Sequence, residues 1–324
     1  MKDKNSETIK KNFETESKIN EETKRSRDHL KKSKFLKNKI VKYPILYKFA
    51  KFIYKNYINI IGETRVLPDF ILCGAPRCGT TSIYEGLSEH PNIFSAKVKE
   101  IYFFDGNFHR GENWYRYHFP PKLKKFIIKK ILRKKFVTGE ATPFYLIHPH
   151  AAQRIKKINS KTKLIVILRN PIDRAYSHFS SAIKNGKEDF SFEESIKEEE
   201  NRIKGEMEKM IDDESYYSSE IYYKRAYFLQ GLYYNDLNQW MKVFPKNQFL
   251  IINSEEFFKN PSKNFNEIFK FLEISQIKNK KYVQFHLGKY LPMNQETREQ
   301  LIKFYKPYNE KLYNLIGEKF DWDK

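Results

Sequence analysis

Hydrophobic and polar positions follow three different patterns along the chain. Residues 1–34 are charged and almost free of aromatics, with no repeating apolar face, as in a disordered or loosely helical tail. From Phe35 to Ile61 aromatic and aliphatic residues interleave with lysines ("FLKNKIVKYPILYKFAKFIYKNYINII"). This predicts an amphipathic basic segment over 35–65, one or two short helices broken near Pro44. From residue 66 onward, strand and helix patterns alternate: strand 69–74, helix 80–89, a short strand near 136–138, helix 149–158, strand 163–168 and helix 171–184. The run "KLIVILRNP" is apolar almost throughout, as expected of a strand buried on both faces. Residues 187–220 read as an acidic, helical surface excursion low in large apolar side chains. A helix over 231–244, the strand "NQFLIINSE" and helices over 262–273 and 294–316 follow. Such alternation predicts an α/β fold, a central parallel sheet flanked by helices, in one domain over 66–324.

Composition adds a direction to this outline. The apolar fraction of 40%, with 27 Phe and 22 Tyr, is ample for a packed core. The net charge of +21 points to anionic partners: nucleotide, nucleic acid, acidic glycan or membrane surface. No secretory leader and no run of ~18 apolar residues is seen, so a cytoplasmic protein with two free thiols, Cys73 and Cys78, is expected. For residues 35–61 two readings stand, a helix packed on the following domain and a peripheral anchor on a membrane surface.

The chemistry concentrates in "FILCGAPRCGTTSIYEGL" (70–87). A strand turning through Gly74 and Gly79 into a helix aims backbone N–H groups and the positive helix end at one spot, a site for phosphate or sulfate. Thr80 and Thr81 add hydroxyls, and Thr80 stands where an ATP-binding loop has lysine, so Arg77 is the loop's cation. A second element, "KLIVILRNPIDRAYSHF" (163–179), ends a buried strand in Arg169, at the sheet edge where α/β proteins bind ligands. Ser177 lies two turns into the following helix. Taken alone, Arg169 is equally accounted for by an ordinary salt bridge.

Together, "GAPRCGTT" and "LRNPIDRAYSHF" resemble the 5′-phosphosulfate loop and the 3′-phosphate motif of the sulfotransferases. Those enzymes take their sulfuryl group from 3′-phosphoadenosine-5′-phosphosulfate (PAPS) and leave adenosine 3′,5′-bisphosphate. "HPNIFSAKVKEIYFFD", "TGEATPFYLIHP", "GLYYNDLNQWMKVFP" and "LYNLIGEKFDW" are similar to the branch of heparan sulfate sulfotransferases and bacterial relatives, in the same order over residues 66–324. The resemblance implies a P-loop-like parallel sheet, chemistry without a metal, and transfer to a hydroxyl or amine of a carbohydrate or glycoconjugate acceptor. It implies that Ala75, Pro76, Arg77, Cys78, Gly79, Thr80 and Thr81 hold the phosphosulfate, that Arg169 and Ser177 hold the 3′-phosphate, and that Lys289 in "GKYLP" closes over the nucleotide.

By the same resemblance Glu100 in "KVKEIYFFD" is the base that takes the acceptor proton, Arg77 offsets charge on the leaving phosphate, and Tyr102 and Asp105 face the acceptor. Ala141 in "GEATP" replaces a lysine with which the heparan branch grips its anionic glycan. A histidine base is the rival, with His90 and His109 nearby in sequence; His90, before Pro91, reads as structural. The basic run 121–136 reads as a solvated face, or as a dock for an acidic acceptor or membrane. An inactive sulfotransferase-like scaffold, or a basic anion-binding protein acting on polyanion or membrane surfaces, is the alternative function. Nucleic acid is not an expected partner, since no nucleic-acid-binding fold or aromatic platform is recognised.

Overall fold

The computed structural model describes residues 44–213, 217–277 and 292–322. The chain forms two compact units, Met1–Ile58 and Asn59–Lys324. The boundary between these units falls inside helix α1 (Pro44–Glu63). Pro44 stands at the start of α1, a first helical position where proline forfeits no backbone hydrogen bond. Residues 1–34 and 35–43 lie outside the described residues.

Four strands make one sheet: β1 (Phe70–Gly74), β2 (Gly139–Ala141), β3 (Lys163–Leu168) and β4 (Phe249–Asn253), in the order β2-β1-β3-β4. All three pairings are parallel, with Phe70 opposite Lys163 and Leu164 opposite Phe249. β1 is buried from end to end and β3 almost so, as the continuous apolar runs predict. The short strand expected at 136–138 begins later, at Gly139 opposite Phe70, while Val137 makes only an isolated bridge to Ile93. Gly139 allows this because a Cβ there would come within 2.5 Å of the Phe70 ring.

Helices connect and cover the strands: α2 (Thr80–Ser88), α3 (Glu112–Arg116), α4 (Lys122–Phe126), α5 (Ala151–Ile158), α6 (Pro171–Lys184), α7 (Phe192–Lys197), α8 (Glu199–Ile203), α9 (Glu206–Asp212), α10 (Glu220–Arg225), α11 (Tyr233–Val243), α12 (Ser254–Lys259), α13 (Pro261–Phe271) and α14 (Gln295–Ile316). The main core joins β1 and β3 to Ile83 and Leu87 of α2, Ile155 of α5, Leu237 and Trp240 of α11, and Phe265 and Ile268 of α13. α6 starts where the sequence places it, because the Asn170 side chain accepts the Ile172 N–H (2.9 Å) and Pro171 takes the first turn. Helix α12 was not foreseen.

The segment 187–220 is only partly solvated. Glu188, Glu199 and Glu206 turn inward, while Glu193, Glu194, Glu200 and Glu208 stay exposed. Glu188 accepts from Arg202 (2.8 Å) and Arg225 (2.7 Å); against the cost of burial, the bonds from Arg202 and Tyr227 hold its carboxyl down at about 2. Glu199 accepts the Phe228 and Leu229 N–H groups (2.7 Å each), and Glu206 accepts from Tyr217 (2.6 Å) and Ser219 (2.5 Å). Ile203 and Met210 pack with Ile147, Tyr222 and Tyr223 in a separate small core. Charge-assisted bonds from neighbours far along the chain make burial tolerable where composition suggested solvation.

Another buried carboxylate sits in β2. Glu140 is inaccessible and accepts from Tyr115 (2.6 Å), Thr142 (2.7 Å) and Tyr145 (3.2 Å). Tyr145 in turn accepts the Phe103 N–H (2.8 Å), so this network fixes the segment after residue 100. Burial pushes the Glu140 carboxyl up to about 7. A raised folded value means the group's contribution to stability is complete below about 4.5 and is lost as pH rises through about 7. Between pH 5 and pH 8, denaturant unfolding of the wild type should therefore lose about 1–3 kcal/mol more than Glu140→Gln loses. Identical pH dependence in the two proteins would contradict a carboxyl that ionises there.

Candidate active site

The loop after β1 is shaped by its backbone and fastened by distant residues. Gly79 has φ 103°, and a Cβ there would also press to 2.8 Å from the Phe258 ring, so glycine is required twice over. Ala75 N–H donates to Ile167 O of β3 (2.7 Å). Ser254 Oγ, at the start of α12, donates to Cys78 O (2.8 Å). Tyr233 Oη donates to Arg169 O (2.9 Å) and lies 3.7 Å from Cys78 Sγ, joining the loop to the end of β3. Ala75 and Cys78 are fully buried and are not part of the cavity wall. Both cysteines are free, and burial pushes the Cys78 thiol up to about 11, which keeps it neutral. The first N–H groups of α2 have no carbonyl partner within the helix and form the anion-facing end.

These pieces enclose one cavity of about 530 Å³ at the carboxyl ends of β1 and β3. Its wall includes Pro76, Arg77, Gly79, Thr80 and Thr81 of the loop, Arg169 after β3, Ser177 of α6, and Glu100. The two anion motifs, separated by about a hundred residues, therefore share a single space. Arg77 has left-handed backbone, φ 68°, and its Nη2 reaches Ser177 O (3.3 Å) and Oγ (3.5 Å). The guanidinium thus spans from the loop to α6 instead of standing over the loop alone. Glu100 (φ 60°) and Tyr102 (φ 52°) are also left-handed, and such outliers gather at functional sites. Glu100 N–H donates to Ala141 O (3.0 Å), and Tyr102 Oη donates to Glu100 Oε2 in a short hydrogen bond.

Not every expected residue meets there. Asp105 is wholly buried and is not part of the cavity wall; Gly106 N–H donates to its Oδ1 (2.7 Å), and burial pushes its carboxyl up to about 6. Tyr102 touches the site through Glu100 and does not line it. Lys289 lies outside the described residues. His90 is structural, as its sequence context suggests: Nε2 is 2.8 Å from Ser275 O, and Nδ1 accepts the Asn92 N–H (3.0 Å). His109 is exposed and away from the cavity wall.

Sequence reasoning missed three contributors. Lys99 Nζ donates to Thr81 Oγ1 (2.6 Å) and Glu100 Oε1 (3.2 Å), placing an ammonium beside the loop that lacks its own lysine. Its adjacency to Glu100 was visible, its reach across to Thr81 was not. His178, the neighbour of Ser177, lines the cavity; burial and the Arg174 and Arg77 guanidiniums hold it well below its usual value, so it is neutral. Glu255, next to Ser254, accepts Asn170 N–H (2.8 Å) and Trp322 Nε1–H (3.0 Å), tying the Arg169 turn to the chain's end. Only the strand-to-helix switch after "FLIIN" could have signalled it.

The donor set fits a nucleotide with phosphate groups at both ends. The helix amides, Thr80, Thr81 and Lys99 gather at the loop, Arg169 and Ser177 at the end of β3 and in α6, and Arg77 reaches from the loop to Ser177. Comparison with known proteins agrees. A family model described as "Sulfotransferase domain" matches residues 67–323. The membrane-associated sulfotransferase kil1 of Dictyostelium discoideum is 29% identical, over 82% of this chain and 68% of that protein. The heparan sulfate glucosamine 3-O-sulfotransferase 3B1 of Mus musculus is 29% identical, over 80% of this chain and 66% of its own length. The chain thus spans about two thirds of these relatives. Among solved structures, a sulfotransferase from Alicyclobacillus acidocaldarius superposes with a TM-score of 0.59 at 28% identity, over 80% of this chain and all of that one. The family match extends over most of the sequence, and the chain belongs to the sulfotransferase family, transferases that take their sulfuryl group from PAPS.

Proposed function

We propose that the chain transfers the sulfuryl group of PAPS to a hydroxyl or amine of a carbohydrate or glycoconjugate. The observation that carries this reading is the single cavity in which the loop, Arg169, Ser177 and Glu100 meet. When bound, PAPS supplies an electrophilic sulfur and a phosphate leaving group. The amides at the start of α2, with Thr80 and Thr81, hold the phosphosulfate end. Arg169 and Ser177 hold the 3′-phosphate. Arg77 and Lys99 place positive charge where the leaving phosphate gains negative charge. Glu100 takes the acceptor proton, and the hydrogen bonds from Tyr102 and Lys99 aim its carboxylate. The relatives that act on heparan sulfate support a saccharide acceptor. Ala141 brings no charge to the place where that branch has lysine, which favours an acceptor other than heparan sulfate itself.

We assign the chain to the cytoplasmic side, held at the membrane surface by residues 35–61. No helix among the described residues is long and apolar enough to cross a membrane. The described part of that segment exposes Phe49, Phe52, Ile53 and Tyr54 between lysines, a pattern that suits an interface, and the similarity to a membrane-associated relative supports it.

Calorimetry with adenosine 3′,5′-bisphosphate in EDTA should show Arg169→Ala weakening binding by roughly 1.5–3 kcal/mol, the worth of a hydrogen bond to a charged group. Tight binding of ATP with Mg²⁺ and none of the bisphosphate would contradict the site assignment. Glu100→Gln should keep nucleotide affinity while formation of sulfated glycan, followed by mass spectrometry, falls about 10²–10⁴-fold; transfer at the wild-type rate would place the base elsewhere. Flotation with anionic liposomes should weaken when the chain begins at Glu63. Equal flotation with and without the earlier residues would remove the tether.

A further inference from the structure

The basic run after Pro121 carries a second feature besides its charge. Helix α4 continues through a wider turn, Ile127–Ile131, so residues 122–131 form one short ridge. Leu123, Phe126, Ile127 and Ile131 recur at helical spacing, and all are exposed, Leu123 by 67% and Ile131 by 64%. Leu132 is exposed beside them. Residues 121–136 also hold eight lysines and arginines and no carboxylate.

The ridge is firmly mounted on the domain that holds the cavity. Ile128 packs against the main core, and Phe136 is buried and stacks on Phe94 at 4.5 Å. Lys125 pairs with Asp69 (3.2 Å), and Lys124 lies 4.6 Å over the Phe94 ring. Lys122 N–H donates to Thr64 O (2.8 Å), just past the end of α1. The inner face is therefore satisfied, and the apolar row points outward with cations along it.

We propose that this ridge is a docking surface for an anionic lipid bilayer. A bilayer answers both halves of the pattern, since its headgroups take the lysines and its acyl boundary takes Leu123, Phe126 and Ile131. A soluble polyanion would use the charges and leave the apolar row in water. The ridge belongs to the same compact unit as the cavity, so its contact with lipid is separate from the tether assigned to residues 35–61 and does not depend on the transfer chemistry.

A probe on the ridge tests this in the full chain. Cys73 and Cys78 are both buried, so Ile131→Cys can be labelled at the surface with a polarity-sensitive fluorophore. Vesicles of phosphatidylcholine with phosphatidylserine should shift its emission to the blue, and phosphatidylcholine alone should not. Adding Lys129→Glu and Lys130→Glu should raise the lipid concentration needed for half the shift by at least about tenfold. No shift on the mixed vesicles would overturn the proposal. An equal shift with dextran sulfate would overturn it in favour of a soluble polyanion.

Discussion

The fastening of the loop after β1 to the carboxyl end of β3 is the contact on which the site depends. The parallel register already sets Gly74 opposite Val166, near the carboxyl end of β3. Tyr233 and Ser254 then hold the Cys78 turn and the Arg169 carbonyl in fixed relation. Without those bonds each motif is an isolated anion hook. With them, the two motifs line one cavity, which on the proposed function takes a ligand carrying phosphate at both ends. The location is the one where open α/β sheets bind ligands, at the reversal of strand order between β1 and β3.

The same edge holds its least comfortable backbone. Arg77, Glu100 and Tyr102 each adopt a left-handed conformation, at a cost of order 1–3 kcal/mol apiece. They persist because their surroundings leave no alternative. Glu100 is held by the Ala141 carbonyl, and the segment behind it hangs from Tyr145 and the buried Glu140. A buried carboxylate with three hydroxyl donors offers little net stability, but it admits one arrangement of its neighbours. In this chain that arrangement places the carboxylate of Glu100 in the cavity wall.

Local features could be read from the sequence because their causes are local. The apolar runs of β1 and β3, the Asn170-Pro171 start of α6 and the glycine-spaced loop all carry their reasons within a few residues. Of the residues chosen for the two phosphate ends and for the base, Pro76, Arg77, Gly79, Thr80, Thr81, Arg169, Ser177 and Glu100 reach the cavity; Ala75 and Cys78 are buried behind its wall, and Lys289 is not described. What escaped notice depends on partners far away. Nothing near Lys99 announces Thr81, and nothing near Glu188 announces Arg225. Asp105 was placed by resemblance toward the acceptor, yet the fold buries it, with Arg154 donating to its carbonyl (3.0 Å). Inward-facing carboxylates in 187–220 likewise resemble solvated ones until their long-range donors are known.

The central claim is that one cavity reads both ends of the nucleotide. A crystal structure of the chain with adenosine 3′,5′-bisphosphate tests it most directly. The account predicts the 5′-phosphate on the amides of residues 77–81 and the 3′-phosphate within hydrogen-bond distance of Arg169 and Ser177, with Arg77 drawn from Ser177 toward the phosphates. A nucleotide bound away from this cavity, or with its 3′-phosphate on the loop and its 5′-phosphate on Arg169, would contradict it.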